Sequence, residues 1–220
     1  MKIAMINGSQ KKKTSVTGIL LKNLEALLLA NDPQLAQDIS FHAVKSEKIN
    51  ILEYGEVLSA DVLVLGFPLY IDSVPSQLLR FLKAVENAFH NKETRIYAVI
   101  NAGFYEGTQC KNAVSILKNW AAKAEVSWGQ AVAAGGGPML FMTKLQNNGP
   151  TKTILQGLRQ LGKHILLREE AEDLYLSPAI PRFFYSFTAH QGWKKAVRAR
   201  GLRPRDLGRK VELEEETKKS

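Results

Sequence analysis

The sequence predicts an α/β protein: five strands of one parallel sheet, helices on both faces, and a small helical extension at the carboxyl end. Two observations carry that reading. Five short strand-like runs alternate with stretches whose apolar residues recur at helical spacing, the order that builds strand–helix–strand units. Two of those runs, 61–67 (Asp-Val-Leu-Val-Leu-Gly-Phe) and 96–100 (Ile-Tyr-Ala-Val-Ile), are almost continuously apolar, as central strands buried on both faces must be.

Taken in order, residues 2–7 form the first strand, and a polar loop leads to a helix with the apolar stripe Ile19, Leu20, Leu24, Leu27 and Leu28. Asn31-Asp-Pro33 is a turn. Residues 39–44 alternate apolar and polar, which suits an edge strand with one wet face. A short helix over 51–58 precedes the third strand at 61–67. The loop 68–75 then opens a helix at Pro75, with Ser73 before it and Leu78, Leu79, Leu82, Val85 and Phe89 on its apolar face. The fourth strand, 96–100, is followed by a loop and a helix from about 109 to 124. Residues 126–134 read as the fifth strand, leaving through Gly135-Gly-Gly-Pro138. A polar break at 146–150 precedes a long amphipathic helix carrying Ile154, Leu155, Leu158, Leu161, Ile165 and Leu166. The expected division is a domain over 1–170, an aromatic extension over 171–202 packed on it through Trp193 of a terminal helix, 188–200, and a charged, disordered tail from 203 to 220.

Composition narrows the function. The 220 residues hold one cysteine, Cys110, so no internal disulfide or cysteine cluster is available. No apolar run reaches the roughly 20 residues of a membrane span, and the amino end turns polar too soon for a signal peptide. A cytoplasmic protein is expected. The net charge of +9 favours anionic ligands. Nucleic acid is not expected, because neither basic stretch (11–13, 194–210) has stacking aromatics or zinc-finger spacing. His42, His90, His164 and His190 have no ligand spacing, so no metal is expected.

The first loop carries chemistry. A strand passes to a helix through Ser9, Lys11, Lys12, Lys13, Thr14, Ser15, Val16 and Thr17. Helix N-terminal N–H groups lack intrahelical partners, the macrodipole adds positive charge, and hydroxyls supply further ligands, so such a loop makes a phosphate site. It lacks the second glycine of a P-loop and the three glycines of the dinucleotide fingerprint. A plain turn with solvated lysines is the other reading of the loop taken alone. The loops 67–74 and 101–108 also leave carboxyl ends of strands, where ligands of parallel sheets bind, and this coincidence favours the site.

With these loops in place the chain resembles the flavodoxin-like superfamily, and within it the NADPH-dependent FMN reductase and NAD(P)H dehydrogenase (quinone)-like flavoproteins. The likeness covers about residues 1–168 and rests on Asn7-Gly-Ser9…Ser15-Val-Thr17, on Gly66-Phe-Pro-Leu-Tyr-Ile-Asp-Ser-Val-Pro75 and on Asn101-Ala-Gly103-Phe104. The resemblance implies strand order 2-1-3-4-5 and an FMN cofactor with NAD(P)H as donor. Ser9, Thr14, Ser15, Val16 and Thr17 would hold the phosphate. Pro68, Leu69, Tyr70 and Ile71 would lie along the ring, and Asn101, Gly103 and Phe104 would hold its pyrimidine edge. Gln10 and three lysines replace the proline that often follows the first Gly-Ser in the family, and Lys11 is the one lysine assigned to the phosphate. The implied activity is ping-pong transfer from a nicotinamide to flavin and on to a quinone, flavin, nitro or azo acceptor, and the resemblance also implies a homodimer. A flavodoxin-type electron carrier and a non-catalytic FMN-binding protein are the alternatives. No residue is assigned a catalytic role. The positive net charge is expected to favour two-electron reduction.

Other residues carry two readings each. Cys110 is a packed, inert thiol or lies near the flavin. Asp72 caps the helix at 75 or touches the cofactor. Gly135–Gly137 leaves room over the ring or is a flexible strand exit. The aromatic cluster 183–187 is core or covers a dimer interface.

Overall fold

The computed structural model describes residues 1–11, 14–44, 49–89 and 93–209. Lys12, Lys13, His90 and the tail from 210 lie outside the described residues. The strands are β1 (Ile3–Asn7), β2 (Ile39–Ala43), β3 (Val62–Pro68), β4 (Arg95–Asn101), β5 (Ser127–Ala134) and β6 (Leu174–Leu176). They form one parallel sheet in the order β2-β1-β3-β4-β5-β6. The expected order of five strands is present, with β2 at an edge. The sixth strand falls in the segment expected to be an extension. At three residues it is too short to show a period, and only its pairing with Val132, Ala133 and Ala134 makes it a strand.

The helices are α1 (Val16–Asn31), α2 (Gly55–Leu58), α3 (Ser76–Val85), α4 (Lys111–Lys123), α5 (Gly137–Met142), α6 (Lys152–Leu167) and α7 (Arg182–Arg198). Alternate side chains of each central strand point to opposite faces, and both faces are covered. Ile3, Met5, Val62, Val64, Tyr97, Val99 and Val132 pack with Leu20, Leu24 and Leu28 of α1 and Ile154, Leu158 and Leu161 of α6. Ala4, Ile6, Leu63, Leu65, Ile96, Ala98 and Ile100 pack with Leu78, Phe81 and Leu82 of α3 and Val114 and Leu117 of α4. Two helical stripes differ from expectation. Leu21 is buried in α1 while Ile19 and Leu27 are half-buried, and Phe81 takes the inward position of α3 while Leu79 is exposed. The exchanged positions flank the central stripe on opposite sides, and an apolar stripe wider than 100° does not resolve which flank turns inward.

A bulge lets Tyr97 into the core. The β4–β5 register steps from Ile96↔Trp128 to Tyr97↔Gln130, leaving Gly129 as the extra residue. A Cβ on Gly129 would lie 2.4 Å from the Tyr97 ring. The Tyr97 hydroxyl is shared between the carbonyls of His164 and Glu169 at 2.8 and 2.9 Å. Burial pushes this phenol up to about 12.

The chain forms two compact units, Met1–Ala179 and Ile180–Ser220. The first contains the whole sheet and α1 to α6. The second contains α7, which begins at Arg182 instead of 188, and a 3₁₀ turn, Pro204–Gly208, in the stretch expected to be a disordered tail.

Gly107 tests how closely the second face is packed. A Cβ there would lie 2.2 Å from the Ala133 carbonyl and 2.6 Å from the Leu176 backbone nitrogen. Gly107→Ala is expected to lower the unfolding free energy by about 3 kcal/mol in urea denaturation. Gly55→Ala, where a Cβ meets nothing within 4 Å, is expected to raise it by about 0.5 kcal/mol.

Candidate functional site

β1, β3 and β4 are consecutive strands of the sheet, so the loops at their carboxyl ends meet. The register aligns Asn7 with Gly66 and Pro68 with Asn101. The first crossover leaves β1 toward β2 and the next strand, β3, lies on its other side, which makes this rim the point where strand order reverses.

The first loop is held from below. The Gly8 N–H donates to the Gly66 carbonyl at 2.8 Å. A Cβ on Gly8 would lie 2.9 Å from Leu78 Cδ2, so a larger residue here must displace the end of that side chain. The Ser9 N–H donates to Asn7 Oδ1 at 3.0 Å. Gln77 of α3, which is buried, donates to the Gly8 carbonyl and accepts from the Gln10 amide at 2.7 Å. Ser15 is the N-cap of α1, its hydroxyl oxygen accepting the Gly18 N–H at 3.0 Å. The N–H groups of Val16 and Thr17 precede the first intrahelical bond, from Ile19 to the Ser15 carbonyl. Lys11 and Thr14, earlier in the same loop, are exposed. A concavity of about 400 Å³ runs from Asn7, Thr14 and Ser15 along α1 to Lys22 and Asn23.

The third-strand loop is a tight hairpin. Tyr70 and Ser73 exchange two backbone bonds of 3.2 and 3.0 Å, with Ile71 at φ 49° and Asp72 at φ 54° between them. Two successive left-handed residues match the primed hairpin turn that normally carries Asn-Gly. A β-branched residue in this region is an outlier costing about 1–2 kcal/mol. The turn leaves Ile71 100% exposed at the rim. Tyr70 beside it is also exposed. Pro75 takes the N-cap position of α3 with no side-chain cap bond, so Asp72 does not cap that helix.

The fourth-strand loop joins the other two. Asn101 is 8% exposed and its Oδ1 accepts the Thr17 hydroxyl at 2.7 Å, a bond buried on both sides. Its backbone carbonyl accepts the Leu69 N–H at 2.9 Å. One residue thus ties α1 to the loops after β3 and β4. The Thr17 hydroxyl is committed to this tie, leaving its backbone N–H to the helix end. Gly103 and Phe104 project outward; Phe104 is 56% exposed, and a Cβ on Gly103 would meet nothing within 4 Å. Pro68 and Leu69 are half-buried under the rim.

Gly135–Gly137 is a brace, neither open space nor a flexible exit. The Gly136 N–H donates to the Phe104 carbonyl at 2.6 Å and the Gly137 N–H to the Ala102 carbonyl at 2.8 Å. A Cβ on Gly135 would lie 2.0 Å from the Tyr105 carbonyl oxygen. Cys110 is fully buried, and burial, with the Asp72 charge adding to it, pushes its thiol up to about 12. It is a packing residue. His42 and His164 are bonded to Ser40 and Gln130, and His190 to the Ser186 carbonyl. Gln77 is a positioning residue that sequence patterns did not mark; its one signal was its place beside the Pro75 helix start. Asn7 and Gly135–Gly137 stood out in the sequence, but not in the supporting role the structure gives them.

No family model and no curated protein matches this chain. Solved structures do. An NADH:FMN oxidoreductase in its apo form aligns with a TM-score of 0.58 at 14% identity, over 78% of this chain and 91% of that one. The NADPH-quinone reductase from P. pentosaceus aligns at 0.54 and 14%, over 75% and 97%. A flavodoxin from Streptococcus pneumonia aligns at 0.52 and 14%, over 76% and 99%. The fold is flavodoxin-like.

Two measurements check the geometry. Asn101→Ala leaves the buried Thr17 hydroxyl without its acceptor and is expected to cost about 1–3 kcal/mol of stability. Thr17→Val in that background is expected to recover part of the loss, giving a clear coupling in a double-mutant cycle. Burial raises the Cys110 thiol and keeps it protonated at neutral and mildly alkaline pH. Iodoacetamide at pH 8 is therefore expected to leave the native protein unlabelled and to label it in urea.

Proposed function

We propose that this chain binds FMN across the three loops and works as an NAD(P)H-dependent oxidoreductase on a small-molecule acceptor. The observation that carries the reading is the buried Asn101 tie, which holds a helix N-terminus and two apolar loop tips at one rim. The residues present fit the group. A monophosphate suits the Val16 and Thr17 N–H groups with Ser15, Thr14, Ser9 and Lys11 around them. A planar ring suits Tyr70, Ile71 and Phe104, which are exposed apolar side chains on loops of adjacent strands. Gly103 leaves the backbone open at the ring's edge.

FMN, when bound, supplies hydride acceptance and onward electron delivery. The chain's part is positioning. The α1 N-terminus would hold the phosphate end, the 70–73 hairpin would cover one side of the ring, and Asn101 ties α1 and the loop after β3 to the end of β4. Tyr70 and Phe104 serve as contacts, and no proton donor is assigned. Support for an enzyme over a carrier comes from the neighbours that are named as reductases, including an FMN-dependent NADH-azoreductase. The proposal extends to a cytoplasmic homodimer. Among the described residues no helix is long and apolar enough to cross a membrane.

The test is spectroscopic. Purified protein is expected to bind FMN at micromolar concentration, with riboflavin at least about tenfold weaker because the helix end holds the phosphate. NADPH under anaerobic conditions is expected to bleach the bound flavin within seconds, and a quinone to restore it. Phe104→Ala is expected to raise the FMN dissociation constant about tenfold. Failure to bind FMN sinks the proposal. Binding without bleaching by NADPH or NADH supports the electron-carrier or non-catalytic alternative instead.

A further inference from the structure

The strongest unexplained surface lies in Ile180–Ser220, away from every residue of the proposed flavin site in sequence. Helix α7 buries none of its residues. Phe183 and Trp193 are 65% and 66% exposed, and Phe184 and Phe187 are exposed with them. A soluble helix normally turns such residues inward. Phe183, Phe184 and Phe187 stand at positions i, i+1 and i+4, so they share one side of the first two turns. The rings of Phe183 and Phe184 are 4.2 Å apart. Lys194 follows Phe187 by seven residues and Arg198 by eleven, which puts both on the same side, further along. Leu202 and Leu207 are exposed in the segment after the helix.

Charge is concentrated in the same segment. Residues 180–209 hold eight lysines and arginines against one acidic residue, whereas 1–179 hold 19 against 16. The segment thus combines an aromatic end with a basic end on one helix face, and a strongly positive connection behind it.

We propose that α7 and residues 199–209 form an interfacial element that docks on an anionic lipid surface. Phenylalanine has no polar atom to satisfy, so its exposed rings gain from entering the headgroup–acyl boundary. Lysine and arginine stems reach back to lipid phosphates from the same depth. Each basic residue near an anionic leaflet adds attraction that salt screens. Two other occupants fit less well. A two-fold pairing of this face with a second copy brings two strongly positive segments together. Single-stranded nucleic acid is gripped by aromatics interleaved with basic residues; on this face the phenylalanines occupy the first two turns and the basic residues begin at Lys194, while Arg182 and Trp193 lie off it. The inference goes beyond the flavin reading and does not rest on it.

Co-sedimentation of the full chain with vesicles tests the proposal. Expected is binding to phosphatidylcholine vesicles containing about one-third phosphatidylglycerol at about 0.1 M salt, at least about tenfold weaker on pure phosphatidylcholine. The pair Phe184→Ser with Phe187→Ser, and the pair Lys194→Glu with Arg198→Glu, are each expected to cut binding about tenfold. Phe187→Trp is expected to show blue-shifted emission on anionic vesicles. The same binding is expected with or without added FMN, which separates this result from the fate of the flavin proposal. The proposal is overturned by an absence of vesicle binding at this salt or by equal binding to neutral vesicles. It is also overturned if the phenylalanine pair abolishes a dimer in sedimentation velocity or lowers the melting temperature, since the protein itself then holds these rings. Displacement from vesicles by a single-stranded oligonucleotide whose binding needs the same phenylalanines would overturn it in favour of nucleic acid.

Discussion

Thr17 and Asn101 lie 84 positions apart in sequence, and the bond between them is the constraint on which the rim depends. Both partners are buried, so neither can exchange the bond for water, and loss of either leaves a polar group stranded in a low-dielectric interior. The second bond of Asn101, from its carbonyl to Leu69, fastens the loop that carries Tyr70 and Ile71. The parallel register makes this possible by setting Asn101 beside Pro68 on the neighbouring strand. A helix N-terminus, an apolar hairpin and an open glycine then face one place without any of them being long or rigid alone.

The Tyr70–Ser73 hairpin shows what that anchoring sustains. Ile71 and Asp72 occupy a backbone region that favours glycine, and they stay there because two backbone bonds close the turn and Asn101 holds its base. Strain of this kind persists where surrounding structure over-determines the conformation. Its effect here is to present a fully exposed isoleucine at the carboxyl rim. Gly135 and Gly137 do the opposite work on the far side, where backbone approaches backbone closely and the loop after β4 is locked from behind.

The distribution of charge changes how the whole-chain value of +9 should be used. The sheet-bearing unit is close to balanced, and most of the excess belongs to the segment after 180. Exposed charges act over roughly 8–10 Å at ordinary ionic strength. Any tuning of a group at the rim therefore depends on the charges local to it, and the net charge speaks instead to what the carboxyl-terminal helix meets.

The alternation of apolar runs and helical stripes determined the fold class, the parallel sense of the sheet and its central strands, because continuous runs such as 62–67 are stable only when covered on both faces. It also located the three loops, since local composition marks where strands end. The tertiary structure alone decided β6, whose three residues carry no period, and the inward choice of Phe81 over Leu79, which flank the Leu78–Leu82 stripe on opposite sides. It alone decided that Thr17 spends its hydroxyl on Asn101 and that Cys110 is a packed thiol. Those outcomes depend on partners far away in sequence, and a residue's own type and neighbours carry no record of what the folded chain brings against it.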